Sequence, residues 1–297
     1  MDPLNPSQGF VDPKWGDVDS FVLSNVSAFL PSFDSATAHL QTAEYASDFN
    51  EVKNIGSNVS TSRTLEQTQI GMFWGYDGSR FIGFPTNLYN QIARVIAANE
   101  NTSEVQNARL FALINLGMAD AAICCWSAKY NFQLWRPTLA IRNGDEDGNA
   151  NTSGDIAWAP LGSQRSNDGG LPFTPGFPSY TSGHATFGGT LFTILAKFFG
   201  TDDIAFTFVS DEFNGTTTNG DGTLRPRVER EYASLSAAAI ENSESRLYLG
   251  VHWRKDCDDG LSAGNAIGEY VYSHSINLAD GVAIKKKSPR SRDLKLV

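Results

Sequence analysis

Helical periodicity dominates the pattern of apolar and polar positions along this chain. Apolar residues recur at spacings of three and four over most of the sequence, as in amphipathic helices. The longest such stretch begins at Ser103 and keeps an apolar face to about Tyr130. Start and stop signals such as Asp34, Gly56 and Pro85 bound several of the other stretches. Further helices are therefore predicted at about 34–55, 64–76, 85–99, 182–199, 231–248 and 256–278.

Four segments interrupt this pattern. Residues 1–33 are dense in Pro, Asp and Ser and predict an extended arm, whereas the basic stretch 281–297 predicts a solvated, mobile tail. Residues 143–178 are rich in Gly, Asn, Asp and Pro, and loops of that length are usually functional. Residues 214–228 are rich in turn formers, with a hairpin signal at 219–222. The predicted fold class is all-α: a catalytic helical bundle at 34–280 with long active-site loops at one end.

Composition narrows the classes of function. The chain has 297 residues, and 33 acidic against 23 basic side chains leave a net charge of −10. That sign disfavours nucleic acids and anionic membrane surfaces as partners. Three cysteines are too few for a disulfide scaffold, and no run of 18 apolar residues predicts a membrane span. The polar N-terminal residues do not resemble a signal peptide, so we expect a soluble protein whose compartment stays open.

Two of the four histidines lie in patterns that suggest chemistry, unlike His39 and His274, which lie on plain helical pattern. His184 follows Ser182 and Gly183 where a helix is predicted to begin. The free N–H groups and positive dipole end of a helix start form a seat for an anion, and a histidine there can move a proton. A simple serine helix cap with an incidental histidine is an equally good interpretation of this stretch alone.

The second histidine stands among positive charges. His252 follows Arg246 by six residues, and a nearby cation favours a neutral imidazole, fit to be a nucleophile or a metal ligand. Lys129 and Arg136 are seven residues apart, so one helix would project both from the same face, a pairing that an anion between them would explain. Together with His184, these residues predict a cage for a tetrahedral oxyanion, either phosphate or vanadate.

Three motifs in this order resemble one family. Its signature is Lys-x6-Arg-Pro, then Ser-Gly-His, then Ser-Arg-x5-His-x3-Asp, shared by vanadium-dependent haloperoxidases and the acid phosphatases of the type 2 phosphatidic acid phosphatase superfamily. The stretches EQTQIGMFWGYDGSRFIGFP at 66–85 and LGVHWRKD after Arg246 are most similar to the fungal chloroperoxidase type. The resemblance covers roughly 60–275, the catalytic half of a longer architecture. Whether this chain is a short form stays open. The matching residues are Lys129, Arg136, Pro137, Ser182, Gly183, His184, Ser245, Arg246, His252 and Asp256.

The resemblance implies vanadate as cofactor and a role for most of the matching residues. His252 would bind vanadium, and His184 would be the acid–base residue for peroxide. Asp77 would orient Arg246, and Trp126 with Phe177 would wall the halide site. Thr181 and Gly176 stand where the family commonly has proline. Lys129 would also draw charge from one peroxide oxygen and make it electrophilic. The vanadate oxygens would be held by Lys129, Arg136, Ser182, Gly183 and Arg246.

The implied activity is oxidation of halide by hydrogen peroxide to hypohalous acid. Bromide and chloride are the expected halides, because the apolar Phe177 favours the harder oxidation of chloride. A small organic halogen acceptor and a homo-oligomer are further expectations. Two alternatives stay open: an acid phosphatase in which His252 attacks phosphorus, and an oxyanion-binding protein without turnover.

Overall fold

A computed structural model describes residues 3–32 and 34–275, and it confirms the helical bundle. Nearly all helices lie where the periodicity predicts them, although the predicted helix at 34–55 is divided at Gln41 and Thr42. The elements are α1 (Ala36–Leu40), α2 (Ala43–Ile55), α3 (Leu65–Phe73), α4 (Pro85–Asn99), α5 (Glu104–Phe132), α6 (Pro137–Arg142), α7 (Gly183–Phe199), β1 (Phe206–Asn214), β2 (Arg227–Tyr232), α8 (Leu235–Tyr248) and α9 (Arg254–His274).

Helices α7 and α9 form the most extensive contact in the described part of the chain. They approach closely because glycine occupies the contact face of α9. A Cβ on Gly264 would lie 2.2 Å from the carbonyl oxygen of Thr186, a distance that no side chain tolerates. Helices α5 and α8 pack on this pair. The ends of these helices carry the motif residues, so the packing of α7 on α9 decides where the candidate site lies.

Helix α5 ends sharply, which corrects one prediction. Gln133 adopts a left-handed conformation at φ 52°, and Arg136 caps the start of α6. Lys129 and Arg136 therefore do not lie on one face of one helix. They approach each other because the chain reverses between α5 and α6.

By length and composition, the stretch 104–142 is the single candidate membrane span in the described residues. More than half of its most apolar window is buried, as in the core helices of globular proteins.

The all-α prediction is wrong in part, because β1 and β2 pair as a small antiparallel sheet. Phe206 and Phe208 alternate with less buried residues, and Phe206 pairs with Tyr232. The helix predicted from Glu231 begins only at Leu235 because β2 extends to Tyr232. The predicted turn at 219–222 is present, since Thr218 and Leu224 bridge across it.

The N-terminal segment at 3–32 is irregular, with 3₁₀ turns at Trp15–Asp17 and Val26–Phe29. It packs along α5, where the buried carboxylate of Asp120 accepts hydrogen bonds from the backbone N–H groups of residues 21–23 at 2.6–2.9 Å. Leu23 joins the main core. The domain boundary at residue 34 stays a prediction, and the predicted tail at 281–297 lies outside the described residues.

Candidate active site

A cavity of about 550 Å³ opens where α7 begins and α8 ends. Its floor is formed by Gly183, His184, Arg246 and His252, and the fold brings these together from three separate parts of the sequence. Three further predicted residues do not line the cavity themselves but lie next to residues that do. These are Lys129, Arg136 and Ser182. The other predicted residues, Asp77, Trp126 and Phe177, line the cavity.

His252 is held in one tautomer by its neighbours. Its Nδ1 lies 3.0 Å from a carboxylate oxygen of Asp256, and its Nε2 lies 3.0 Å from Nη1 of Arg136. A guanidinium only donates hydrogen bonds, so Nε2 carries the lone pair and Nδ1 carries the proton. Burial, reinforced by the charge of Arg136, lowers the pKa of His252 well below its ordinary value. The imidazole is therefore neutral, and the Nε2 lone pair that accepts from Arg136 could instead bind a metal or an electrophile.

Asp256 is the positioning partner of His252. Its side chain is fully buried and accepts hydrogen bonds from the backbone N–H of Trp253 and from the hydroxyl of Ser179. Burial raises the pKa of Asp256 to about 6. A carboxylate behind a metal-binding histidine fixes the ring and strengthens its basicity.

Two arginines leave donors without partners in this buried place. Within residues 3–32 and 34–275, Nη2 of Arg136 and both Nε and Nη1 of Arg246 have no hydrogen-bond partner, although both side chains are at most 7% exposed. The remaining Nη2 of Arg246 lies 3.6 Å from a carboxylate oxygen of Asp77. Burial raises the pKa of Asp77, and Arg246 opposes that shift. An unpaired buried donor is costly, so these three nitrogens fit a ligand rich in acceptor oxygens.

Lys129 is buried beside the ring of Phe177. Its ammonium group donates to the carbonyl oxygens of Pro178, Ser179 and Thr181 at 3.2, 3.0 and 2.5 Å. Burial lowers its pKa to about 8. Its Nζ also lies 4.9 Å from the ring centroid of Phe177. The lysine thereby joins the end of α5 to the loop that carries Phe177.

His184 lies in the first turn of α7, and its tautomer is also determined. Its Nε2 lies 2.8 Å from the carbonyl oxygen of Gly75, which only accepts, so Nε2 carries the proton. Nδ1 is then the basic nitrogen. Burial, together with the charge of Arg246, lowers the pKa of His184 well below its ordinary value. A neutral imidazole on the cavity floor is suited to accept and return a proton.

The start of α7 supplies neutral donors. Ser182 is the N-cap, and its hydroxyl accepts a hydrogen bond from the N–H of Ala185. Gly183 opens the helix on the cavity floor, where a Cβ would point toward Phe187 and Trp126 at ordinary contact distance. The positive end of the 17-residue helix therefore faces the same space as the arginine donors.

Trp126 and Phe177 form one side of the cavity. Their ring centroids are 4.9 Å apart with an interplanar angle of 48°. The guanidinium carbon of Arg136 lies 4.9 Å from the ring centroid of Phe177. The predicted halide wall is thus an apolar surface with two cations behind it, which excludes water while leaving an attractive field for an anion.

Sequence reasoning missed the residues that hold His184 in place. The carbonyl oxygen of His184 accepts from the hydroxyl of Tyr89 at 3.0 Å and from the amide of Asn242 at 2.7 Å. Asn242 is a buried polar residue one helical turn before Arg246, on the same helix. A polar residue on the apolar side of α8 was the only signal in the sequence.

The site suits an oxyanion better than a bare metal cation. Across residues 3–32 and 34–275, no group of three or more His, Cys, Asp or Glu side chains converges as a metal site. The site instead combines the Nε2 lone pair of His252 with three unpartnered guanidinium nitrogens of Arg136 and Arg246 and with a helix N-terminus. This donor set fits a tetrahedral oxyanion whose central atom takes a nitrogen ligand.

Comparisons with known proteins point to one family. A family model described as the VCPO second helical-bundle domain matches residues 109–281. The vanadium chloroperoxidase of Curvularia inaequalis is 38% identical over 230 residues, which cover 66% of this chain and 37% of that protein. This chain therefore spans little more than a third of the length of that relative.

Two solved structures share the fold. A bacterial vanadium-dependent iodoperoxidase matches with a TM-score of 0.68 and 27% identity, over 90% of this chain and 58% of that one. A holo-type bacterial vanadium-dependent chloroperoxidase matches with a TM-score of 0.68 and 18% identity, over 90% of this chain and 55% of that one. At that lower identity, the second match supports the architecture alone.

Proposed function

The chain belongs to the vanadium chloroperoxidase family through its second helical-bundle domain, and from that premise we propose that it is a vanadate-dependent haloperoxidase. The proposed reaction oxidises bromide or chloride with hydrogen peroxide to hypohalous acid. One observation supports it above the others. Three guanidinium nitrogens of Arg136 and Arg246 are buried without partners beside the lone pair of His252. An oxyanion bound at that nitrogen would satisfy donors that otherwise destabilise the fold.

The residues present fit vanadate. Arg136, Arg246 and the N-terminus of α7 at Gly183 would hold its oxygens, with Ser182 and Lys129 behind them. Nε2 of His252 would be its only protein ligand. Bound vanadate would supply a Lewis acid that polarises hydrogen peroxide. In this proposal the protein supplies the positive charges that hold vanadate, the groups that orient it, and the residue that transfers protons to and from peroxide.

Proton transfer falls to His184 in this proposal. Its Nδ1 would accept a proton from hydrogen peroxide and later return it to the leaving oxygen. Its low pKa keeps the ring neutral and ready as a base. Tyr89 and Asn242 hold its backbone, so the ring position does not depend on the ligand.

Halide would be oxidised against the wall of Trp126 and Phe177. Chloride is strongly hydrated and hard to oxidise, so its site must remove water and concentrate positive charge. The two rings exclude water, and Lys129 and Arg136 lie within 5 Å of the Phe177 centroid. Weak screening in such a place makes both charges more effective.

The acid phosphatase alternative is not favoured. The relatives that this chain matches over most of its length are named as haloperoxidases. An oxyanion-binding protein without turnover has no use for a second neutral histidine on the floor of the cavity.

Vanadate reconstitution tests the proposal. Metal-free protein loaded with vanadate should oxidise bromide and chloride in the presence of peroxide, and phosphate should suppress that activity by competing for the cage. Hydrolysis of phosphate esters by the same preparation is the matched assay. Ester hydrolysis without any peroxide-dependent halide oxidation would overturn the proposal in favour of the phosphatase.

A further inference from the structure

The cavity is much larger than vanadate, peroxide and halide require. Its volume of about 550 Å³ falls in the range of pockets that enclose a drug-sized molecule. The space above the floor is lined mostly by apolar side chains, among them Trp15, Phe84 and Phe187. We define Gln8, Val11, Asp12 and Trp15 of the N-terminal segment as the upper wall.

Backbone and side-chain hydrogen bonds hold the upper wall in place. The N–H of Val11 donates to the carbonyl oxygen of Gly176 at 2.9 Å. The carbonyl oxygen of Val11 accepts from the indole of Trp126 at 3.3 Å and from the hydroxyl of Tyr130 at 2.7 Å. The amide of Gln8 donates to the carbonyl of Thr174 at 2.8 Å. The segment is therefore tied directly to the halide wall.

Gly176 makes this arrangement sterically possible. A Cβ on Gly176 would lie 2.7 Å from the carbonyl oxygen of Gly9. Any larger residue would push the N-terminal segment away from the cavity. Because Gly176 has no side chain, the N-terminal segment can pass over the halide wall. The segment then covers the cavity above that wall.

We propose that the upper wall completes a binding site for a neutral, electron-rich aromatic or alkene acceptor of one or two rings, which is halogenated inside the cavity. The proposal rests on the proposed haloperoxidase function. Apolar walls favour a neutral molecule. Asp12 is the one formal charge that the described chain places on the upper wall, and it disfavours a carboxylate there, whereas the arginine donors lie at the floor, where vanadate would occupy them. Trp15 is 43% exposed and is the largest apolar side chain of that wall.

The chemistry balances without a further reagent. The acceptor's π electrons attack the halogen of hypohalous acid, and the halogen–oxygen bond breaks as a carbon–halogen bond forms. For an aromatic acceptor, the ring then loses the proton from the attacked carbon, and that proton and the departing hydroxide make water. For an alkene acceptor, the hydroxide adds to the second carbon and the product is a halohydrin. Hydrogen peroxide has already supplied the two oxidising equivalents in forming hypohalous acid from the halide.

A competition experiment tests the site. Vanadate-loaded protein receives bromide, peroxide and an equimolar mixture of 3-methoxytoluene and 3-methoxyphenylacetate, whose rings are similarly activated. The ratio of brominated products is compared with the ratio from reagent hypobromous acid. We expect the protein to favour the neutral acceptor by roughly tenfold more than the reagent does, the scale on which apolar pockets discriminate.

Two variants test the upper wall, one by a substitution within it and one by a substitution in the loop that it contacts. Trp15→Ala removes its main apolar surface, and Gly176→Ala displaces the segment. Both should bring the product ratio back to the reagent value, whereas Phe21→Ala, an exposed aromatic of the same segment outside the cavity, should not. Saturation-transfer NMR with 3-methoxytoluene and no peroxide should show binding to the parent and loss of binding in Trp15→Ala.

The outcomes separate this proposal from the one before it. A reagent-like ratio in the parent, with bromide oxidation intact, would overturn the acceptor site and leave the haloperoxidase function standing. A shifted ratio that survives both variants would show that the N-terminal segment does not form the wall. Absence of any peroxide-dependent halide oxidation would overturn both proposals together.

Discussion

The floor and the upper wall of the cavity are built in opposite ways. The floor consists of side chains at helix ends that are at most 7% exposed, such as Arg246, His184 and His252. The upper wall is irregular chain, and both Val11 and Trp15 are more than 40% exposed. The rigid part carries the groups whose geometry decides a reaction, whereas the irregular part carries groups that decide which molecule approaches.

The two regions also differ in their electrostatics. The floor holds buried cations with unpartnered donors, each of which costs about 1–3 kcal/mol until a ligand satisfies it. In the upper wall, by contrast, the backbone N–H and carbonyl groups of Val11 already have hydrogen-bond partners within the protein. Ligand binding should therefore stabilise the floor strongly and change the wall little.

Loss of the imidazole lone pair should abolish both binding and activity. In His252→Ala, peroxide-dependent bromide oxidation should fall to background. The parent should gain about 2.7 kcal/mol of unfolding free energy at vanadate concentrations 100-fold above Kd, and the variant should gain none. Thermal and urea unfolding with and without vanadate measure this. His274→Ala, an exposed histidine of α9, is the control. Full vanadate stabilisation in His252→Ala would contradict the role given to its nitrogen.

His184 should separate chemistry from binding. His184→Ala should keep its stabilisation by vanadate but lose about 10²–10⁴-fold in turnover, the usual contribution of an acid–base group. Steady-state kinetics per bound vanadate provide the measurement. If vanadate binding is lost while turnover per bound vanadate is unchanged, His184 is a structural residue of the floor.

Asp77 should act through Arg246. Asp77→Asn leaves Arg246 without its ion-pair partner, so vanadate affinity should fall by roughly 10–100-fold, as expected when an outer partner of a site is removed. Isothermal titration with vanadate measures the change. Asp221→Asn, in the exposed turn at 219–222, is the matched control. Equal affinities in both variants would remove Asp77 from the site.

The halide wall lies between the floor and the upper wall, and its effect should be on selectivity. Phe177→His places a polar, hydrated ring beside the halide. Chloride oxidation should fall by roughly tenfold relative to bromide oxidation, because pocket changes of this kind contribute about 1–3 kcal/mol. Phe21→His is the control for an added histidine. An unchanged ratio of chlorination to bromination would show that Phe177 does not determine halide preference.

The smallest expected effect on the site comes from loosening the N-terminal segment. In Asp120→Asn, the N–H groups of residues 21–23 lose a charged acceptor and should exchange with deuterium roughly 10–100-fold faster, since such bonds contribute about 1.5–3 kcal/mol. Vanadate affinity should stay within about twofold of the parent, as it should in the exposed control Asp19→Asn. A loss of affinity comparable to that of Asp77→Asn would show that the wall and the floor are not independent.

Much of the fold was predictable because helices are specified locally. Pro85 and Ser103 begin α4 and α5 near the predicted positions, and α7 lies where predicted. The turn at 219–222 was predicted, but strands β1 and β2 were missed because the charged residues of β2 fit the start of a helix equally well. Their strand conformation depends on pairing with β1 and on packing against the core.

The types of residue that form the site, and their order along the chain, follow from the local sequence alone. The three motif spacings, and the anion seat at the start of α7, depend on residues within one or two helical turns of each other. The tertiary structure decided everything that joins distant residues. Arg136 reaches His252 across 116 positions, and Val11 meets Trp126 across 115. Such pairs form only when α7 packs on α9 and the chain reverses after Gln133, because burial and close packing, rather than local preference, select them.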